Sequence, residues 1–165
     1  MPSLSCLFSN GPPASSQPCL IFQGPDKQGH ITAVNSAQQE VAHFIVRNNT
    51  LARILGSSQQ NICTFNRSHL SSTTSVSIHG QQIKVKQTWE SMQYGKDVET
   101  PTGLLTWRAG SGGYEELRDG SKTLLARGKM PGTFGSKPAL LEVFVSGDDV
   151  LLDMILATWV STVKF

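Results

Sequence analysis

The last part of the sequence, residues 147–165, reads GDDVLLDMILATWVSTVKF and is its most apolar segment. Drawn as a helix, residues 150–163 carry apolar side chains on every side, and no wide polar stripe is left. A helix that is hydrophobic on all sides lies inside a protein or inside a membrane. The chain must therefore fold in a way that surrounds this segment with apolar groups.

The length of the apolar segment distinguishes the two environments. A membrane-spanning helix needs about 20 apolar residues with few charges, whereas residues 150–163 are only 14 residues and include Asp153. A helix that lies on a membrane surface needs a marked polar face, which is missing here. The sequence therefore predicts a central core helix over residues 148–164. Asp148 or Asp149 suits its N-cap, where a carboxylate accepts hydrogen bonds from free N–H groups.

Short strands are predicted before the helix. Apolar and β-branched stretches recur roughly every 8–14 residues between turn residues, which is typical of a β-sandwich or β-barrel. The stretch SVSIHGQQIKVKQTWE is a predicted hairpin with its turn near residues 79–82, and Ile83, Val85 and Trp89 share one face of its second strand. The predicted fold is mainly β, an antiparallel barrel of about 10–12 strands closed around the hydrophobic helix at the end of the chain.

The sequence predicts one domain that follows a tail. Residues 1–18 are rich in serine and proline, a composition that suits an extended segment. Residues 19–165 form the predicted barrel domain, because a chain of 165 residues is long enough for one domain and shows no internal boundary. The first residues lack a basic stretch before an apolar one and so do not resemble a secretory signal.

The charge and the cysteine content of the chain indicate which classes of partner and which cellular compartment to expect. The net charge is +2 without a clustered basic field, so nucleic acid is not an expected partner, and membrane contact is expected to be at most peripheral. Three cysteines, Cys6, Cys19 and Cys63, are too few and too scattered for a disulfide framework. Reduced cysteines and cytoplasmic residence are therefore predicted. Histidine and cysteine show no metal-ligand spacing, so neither a metal nor a cofactor is expected.

The end of the chain, LLEVFVSGDDVLLDMILATWVSTVKF, consists of a strand, an acidic turn and an apolar helix. With the strands in GLLTWR and KTLLARGKM, it resembles the tubby C-terminal-like superfamily of tubby proteins, phospholipid scramblases and plant LURP-one-related proteins. The similarity is to an uncharacterised fungal branch of that group, and about 60 residues at the end of the chain carry most of it. The resemblance implies a barrel with the helix threaded through it, but a shared fold does not fix a function.

The resemblance also implies a candidate lipid site, since tubby proteins bind phosphoinositides. Lys84 and Lys86 are the candidate ligands for an anionic headgroup. Alternatively, both lysines lie on a solvated outer face of their strand, which the absence of a run of basic residues favours. The family's own headgroup-binding residues do not map onto this sequence position by position.

The middle of the chain is rich in large apolar side chains that carry a polar atom. Trp89, Met92, Tyr94 and Trp107 are candidate ligand-binding residues, because small-molecule pockets are lined by such groups. The same four residues are equally suited to fill the core of a barrel.

No catalytic motif is present, and the candidates for a catalytic residue are His43 and Asp153. His43 lies on a predicted strand and suits a hydrogen-bonded wall residue better than a catalyst. Asp153 in an apolar helix needs a partner or must be neutral. It either faces a cavity as a proton donor or emerges at the barrel mouth, and the second is favoured. Cys63 lies between apolar residues and is predicted to be a packed thiol rather than a nucleophile.

Two functions remain open on the sequence. The first is a barrel that binds an apolar or amphipathic small molecule, or a lipid, without catalysis. The second is a cyclase or pericyclase of secondary metabolism, which needs shape, aromatic walls and one hydrogen-bond donor rather than a motif. An enzyme should contain a closed pocket of a few hundred Å³, whereas a lipid adaptor should show a basic rim around a shallow mouth.

Overall fold

The computed structural model describes residues 17–67, 70–90, 92–132 and 137–161. Within them, twelve strands form one closed antiparallel barrel and one α-helix, α1 (Asp149–Val160), follows the last strand. The predicted fold class is therefore confirmed. The strands are β1 (Leu20–Gln23), β2 (His30–Asn35), β3 (Glu40–Arg47), β4 (Thr50–Leu55), β5 (Ser58–Arg67), β6 (Thr73–Ile78), β7 (Gln81–Glu90), β8 (Gln93–Thr100), β9 (Gly103–Ala109), β10 (Glu115–Arg118), β11 (Leu124–Lys129) and β12 (Leu140–Val143).

Each strand pairs with its neighbours in sequence, and the pairing of β1 with β12 closes the sheet. The turn between β6 and β7 lies at His79 and Gly80, within the predicted range, and both residues have positive φ, 47° and 75°. A two-residue turn with two positive φ angles matches the right-handed twist of the strands that it joins. Because the sheet closes on itself, the described strands present no free edge to another chain.

The barrel has two ends because successive turns alternate between them. We call proximal the end that carries the turns after the even-numbered strands, such as residues 56–57 and 79–80. The distal end carries the turns after odd-numbered strands, such as residues 48–49 and 110–114. The chain leaves β12 at the proximal end, and α1 runs from there into the barrel towards the distal end.

The core consists of inward side chains from the strands packed around α1. Every residue from 155 to 160 is buried, which confirms the predicted core helix. The first turn of the helix is less covered, and Val150 is exposed at the proximal end. The apolar surface of the helix is thus buried by the strands, as its length and its uniform apolarity require.

One junction joins the distal part of α1 to the wall of the barrel. The indole N–H of Trp107 on β9 donates a hydrogen bond to Thr158 Oγ1 at 3.2 Å, and that hydroxyl donates to the carbonyl of Ile155 at 3.0 Å. The rings of Trp107 and Trp159 pack with their centroids 5.5 Å apart. On β11, Gly128 lies directly against the six-membered ring of Trp159. These contacts fix the position of the helix along the barrel axis.

The start of α1 has the predicted cap. Asp148 Oδ1 accepts a hydrogen bond from the N–H of Leu151 at 2.9 Å, and Asp149 adds negative charge at the positive end of the helix dipole. The described helix ends at Val160, and residues 162–164 of the predicted helix lie outside the described residues. No helix in the described part of the chain is long and apolar enough to cross a membrane.

The cysteines differ from one another. Cys19, just before β1, is disulfide-bonded. The prediction of a reduced cysteine is therefore wrong here, because spacing along the chain does not show which sulfur atoms meet after folding. Cys63 on β5 is a free, buried thiol, as predicted. Residues 1–16, most of the predicted tail, lie outside the described residues.

The contact of Gly128 with Trp159 generates a stability test. A Cβ atom at position 128 would overlap the ring of Trp159, whereas one at Gly120 meets nothing within 4 Å. We expect Gly128→Ala to lower the free energy of unfolding by about 1–3 kcal/mol, as overpacking of a core does. Gly120→Ala is the matched control and should change it by less than about 0.5 kcal/mol. Urea unfolding followed by tryptophan fluorescence measures both, and equal stability of the two variants would contradict the placement of Trp159.

Candidate functional site

The proximal end holds a polar cluster formed by Asp153, Arg53 and His79, here called the proximal cluster. Asp153 lies on α1, and its two carboxylate oxygens have different partners. Arg53 Nη2 on β4 donates to Oδ1 at 2.7 Å, and His79 Nε2 in the β6–β7 turn lies 2.9 Å from Oδ2. The cluster therefore connects the helix to two separate parts of the barrel wall.

Burial determines the electrostatics of the proximal cluster. Asp153 is only 2% exposed, whereas the side chains of Arg53 and His79 are 21% and 34% exposed. Burial raises the pKa of Asp153, while the hydrogen bond from His79 and the charge of Arg53 lower it in part. The prediction that Asp153 emerges at the barrel mouth is wrong, because its two partners cover it. Because both of its oxygens have a partner on the strands or their turns, the carboxylate links the helix to the barrel wall.

Cys63 lies close to the proximal cluster but is not a nucleophile. Burial raises the pKa of its thiol to about 12, and the negative charge of Asp153 contributes in the same direction. A hydrogen bond with the backbone of Leu51 offsets only part of this. A thiol with such a pKa is protonated at neutral pH, and the reactive species of cysteine is the thiolate.

The distal end of the barrel contains a cavity of about 350 Å³. Its lining comes from four consecutive strands, β7 to β10. Side chains of a strand alternate between the two faces of the sheet, so residues two positions from a buried core residue share the inner face. The lining residues on the inner face are Gln87, Tyr94, Lys96, Trp107 and Glu115, and Gly95 and Arg108 complete the lining from the alternate positions of β8 and β9.

The predicted aromatic residues meet at this cavity. Tyr94 and Trp107 belong to its lining, with Trp107 buried at its base. Trp89 packs edge-on against Tyr94, with the ring centroids 4.3 Å apart. Met92 lies in the β7–β8 turn and is 83% exposed, outside the lining. Their role in ligand binding stays a prediction, but the structure brings three of the four side chains together.

Two charged residues of the cavity were missed by the sequence reasoning. Lys96 Nζ lies 4.0 Å from Glu115 Oε2, and the lysine side chain is 15% exposed. Burial lowers the pKa of Lys96, and the negative charge of Glu115 raises it in part. A signal existed: Lys96 is two residues from the buried Val98, and Glu115 is two residues from the buried Leu117. Strand alternation therefore places both on the inner face.

Arg108, the other cation of the cavity lining, is neutralised within the wall. Its Nη2 donates to Asp97 Oδ1 at 2.7 Å. Its Nη1 donates to the carbonyl oxygens of Lys96 and Trp107 at 3.1 and 2.8 Å. The guanidinium lies over Gly95, where a Cβ atom would collide with it. Both cations of the lining, Lys96 and Arg108, therefore have a carboxylate beside them, Glu115 and Asp97.

The remaining candidates lie on the outside of the barrel. Lys84 and Lys86 are exposed on the outer face of β7, and the strand register places them opposite Glu99 and Asp97 of β8. Opposite charges across the strands weaken the field that an anionic headgroup would need. The headgroup role stays a prediction. His43 points outward from β3, half exposed, with its Nε2 3.5 Å from Glu40 Oε2, and it borders no described cavity.

No protein-family model, curated protein or solved structure matches this chain. Within residues 17–67, 70–90, 92–132 and 137–161, no group of three or more histidine, cysteine, aspartate or glutamate side chains could hold a metal ion. Of the two polar sites, the distal one borders a cavity of about 350 Å³.

The proximal cluster predicts an asymmetry between its members. Arg53→Met leaves a buried carboxylate with one partner fewer, which should cost about 3 kcal/mol at pH 7. Asp153→Asn leaves a partly exposed arginine and should cost only about 1 kcal/mol. Arg47→Met, at an exposed arginine, is the control for the replacement and should change stability little.

The loss in Arg53→Met should also depend on pH. Burial already raises the folded-state pKa of Asp153 above its ordinary value of 3.8, and loss of the arginine raises it further. The folded state then binds the proton more tightly than the unfolded state, so stability rises as the pH falls through the folded pKa. Urea unfolding at several pH values between 7 and about 4 should show the difference from wild type shrinking. A difference that grows towards acid would contradict this account.

Proposed function

We propose that the distal cavity binds one small, neutral, amphipathic molecule. The observation that carries this proposal is a cavity of about 350 Å³ with aromatic side chains and a charge-balanced pair of polar groups, Lys96 and Glu115. Ligand sites typically have volumes of about 300–1,000 Å³ and combine apolar walls with a few placed polar groups. A volume near the lower limit suits a molecule of one or two fused rings.

The lining explains why the ligand should be amphipathic. Tyr94 and Trp107 offer aromatic surface, on which a flat apolar ring packs favourably. Gln87, Lys96 and Glu115 supply hydrogen-bond donors and acceptors in the same lining. A ligand with an apolar body and one polar group satisfies both sets of side chains at once.

The charges of the lining favour a neutral ligand over an anionic one. Lys96 faces Glu115, and Arg108 is hydrogen-bonded to Asp97, so each cation has a carboxylate beside it. An anionic group would place a third negative charge next to these carboxylates without a free cation to offset it. The cavity therefore supports binding of a small neutral molecule better than binding of a phosphoinositide headgroup.

A second candidate function is catalysis by a cyclase or pericyclase of secondary metabolism. A pocket of a few hundred Å³ with aromatic walls and a convergent polar group is what such an enzyme requires. The cavity supplies the volume, the aromatic groups Tyr94 and Trp107 and the polar pair Lys96 and Glu115, but it is open to solvent and not the closed pocket that an enzyme should contain. Mass spectrometry of a small molecule that co-purifies with the protein, before and after incubation, distinguishes an unchanged ligand from a product.

We further propose that the chain is a divergent relative of the tubby C-terminal-like superfamily, supported by twelve closed strands around a helix at the end of the chain. Cytoplasmic residence stays a prediction. The disulfide bond of Cys19 counts against it, because disulfides persist mainly in oxidising compartments.

Binding of two matched probes tests the proposed function. We expect 2-naphthylmethanol, which is neutral, to bind at least about tenfold more tightly than 2-naphthoic acid, a difference of about 1.4 kcal/mol. Gln87→Trp fills the cavity and should weaken binding of the alcohol by a similar factor. Gln82→Trp, the same replacement on the outer face of the same strand, should leave it unchanged. Calorimetric titration measures all four, and tighter binding of the acid, or equal effects of the two variants, would contradict the proposal.

A further inference from the structure

We propose that Lys96 binds the ligand covalently and reversibly, by forming an imine with an aldehyde or ketone group of a molecule held in the distal cavity. This inference rests on the proposed function, because it needs the cavity to admit a ligand. It adds the chemical class of that ligand, an aromatic or conjugated carbonyl compound. The barrel fold by itself does not imply a covalent bond between a lysine and a ligand.

The position of Lys96 is the first argument. The side chain lines the cavity from the inner face of β8 and is 15% exposed, so a ligand in the cavity reaches the amine. Its ionic partner among the described residues is Glu115, at 4.0 Å. This distance is at the outer limit of an ion pair and too long for a good hydrogen bond. The amine is therefore held near a carboxylate without being bound tightly to it.

The surroundings of Lys96 are the second argument. A lysine is a nucleophile only as the neutral amine, and burial in an apolar site increases the neutral fraction. Burial lowers the pKa of Lys96, whereas Lys84 and Lys86 are exposed on the outer face of the neighbouring strand. The cavity thus combines an activated amine with aromatic surface from Tyr94 and Trp107.

Glu115 can carry the proton transfers that imine formation requires. When the two side chains close the 4.0 Å gap to hydrogen-bond distance, the carboxylate accepts a proton from the Lys96 ammonium, and the neutral amine attacks the carbonyl carbon to form a C–N bond. A proton moves from nitrogen to the former carbonyl oxygen, which gives a carbinolamine. Glu115 then returns its proton to the hydroxyl group, the C–O bond breaks and one water leaves. The protonated imine remains beside the Glu115 carboxylate, and the step needs no oxidant or reductant.

The shape of the site selects among carbonyl compounds. The electrophilic carbon must come within bonding reach of Nζ of Lys96 while the body of the ligand contacts Tyr94 and Trp107. An aldehyde attached directly to a flat ring system meets both conditions. A fully aliphatic carbonyl compound would forgo the aromatic contact.

Reductive trapping tests the inference on the full chain. The protein is incubated with 2-naphthaldehyde and sodium cyanoborohydride, and intact mass and peptide mapping locate the stable secondary amine. We expect one naphthylmethyl group per chain, at Lys96, formed at least about tenfold faster than at any exposed lysine. Lys96→Arg keeps the positive charge and cannot form an imine, so it should abolish this fast labelling. Lys84→Arg, the same change on the outer face of β7, should label like the wild type.

Two further measurements test whether Glu115 and the cavity contribute to the labelling of Lys96. Glu115→Gln keeps the shape of the side chain but cannot exchange protons, and it should slow labelling of Lys96 by at least about tenfold. Excess 2-naphthylmethanol should protect Lys96 of the wild-type protein from labelling. This competition needs no variant, so it decides the question even if a substitution at position 96 prevents folding.

The outcomes separate this inference from the proposed function. If 2-naphthylmethanol binds but Lys96 is labelled no faster than Lys84 and Lys86, the covalent role is overturned and the cavity remains a binding site. If neither the alcohol nor the aldehyde binds, both proposals are overturned. Fast labelling of Lys96 that the alcohol blocks supports both.

Discussion

The contact between Trp107 and the distal turn of α1 is the interaction on which both the fold and the site depend. The Trp107 indole donates to Thr158, its ring packs on Trp159, and the same residue lies at the base of the cavity. Because the helix is apolar on all sides, it is stable only while the strands enclose it. The distal cavity borders Trp107 and is lined by residues of β7 to β10.

The two ends of the barrel use charge differently. At the proximal end, Asp153 is buried with Arg53 and His79, and such buried ion pairs contribute little net stability because desolvation offsets most of their attraction. We interpret this cluster as fixing the register of the helix in the barrel. At the distal end, Lys96 Nζ and Glu115 Oε2 lie 4.0 Å apart in the lining of the cavity. The carboxylate of the proximal end is buried with its partners, whereas the polar groups of the distal end line a cavity.

Local patterns in the sequence predicted the strands, the turn at His79 and the core helix, because strand alternation and uniform apolarity are properties of adjacent residues. They did not predict the partners of Asp153, which lie 100 and 74 residues away in sequence and meet it only after the barrel closes. Residue type alone singled out Tyr94 and Trp107, which line the cavity, together with Trp89 and Met92, which do not. Lys96 and Glu115 were overlooked because charged residues in strands are usually exposed, although alternation places both on the inner face.

Fluorine NMR of the protein labelled with 5-fluorotryptophan tests the central claim most directly, since the chain has three tryptophans. The claim is that the barrel encloses α1 and leaves a ligand cavity beside Trp107. The structure predicts that the buried Trp107 and Trp159 show no shift between H₂O and D₂O, whereas the exposed Trp89 does. Addition of 2-naphthylmethanol should then move the Trp107 resonance. A solvent shift at Trp159, or a probe that leaves Trp107 unchanged, would contradict the account.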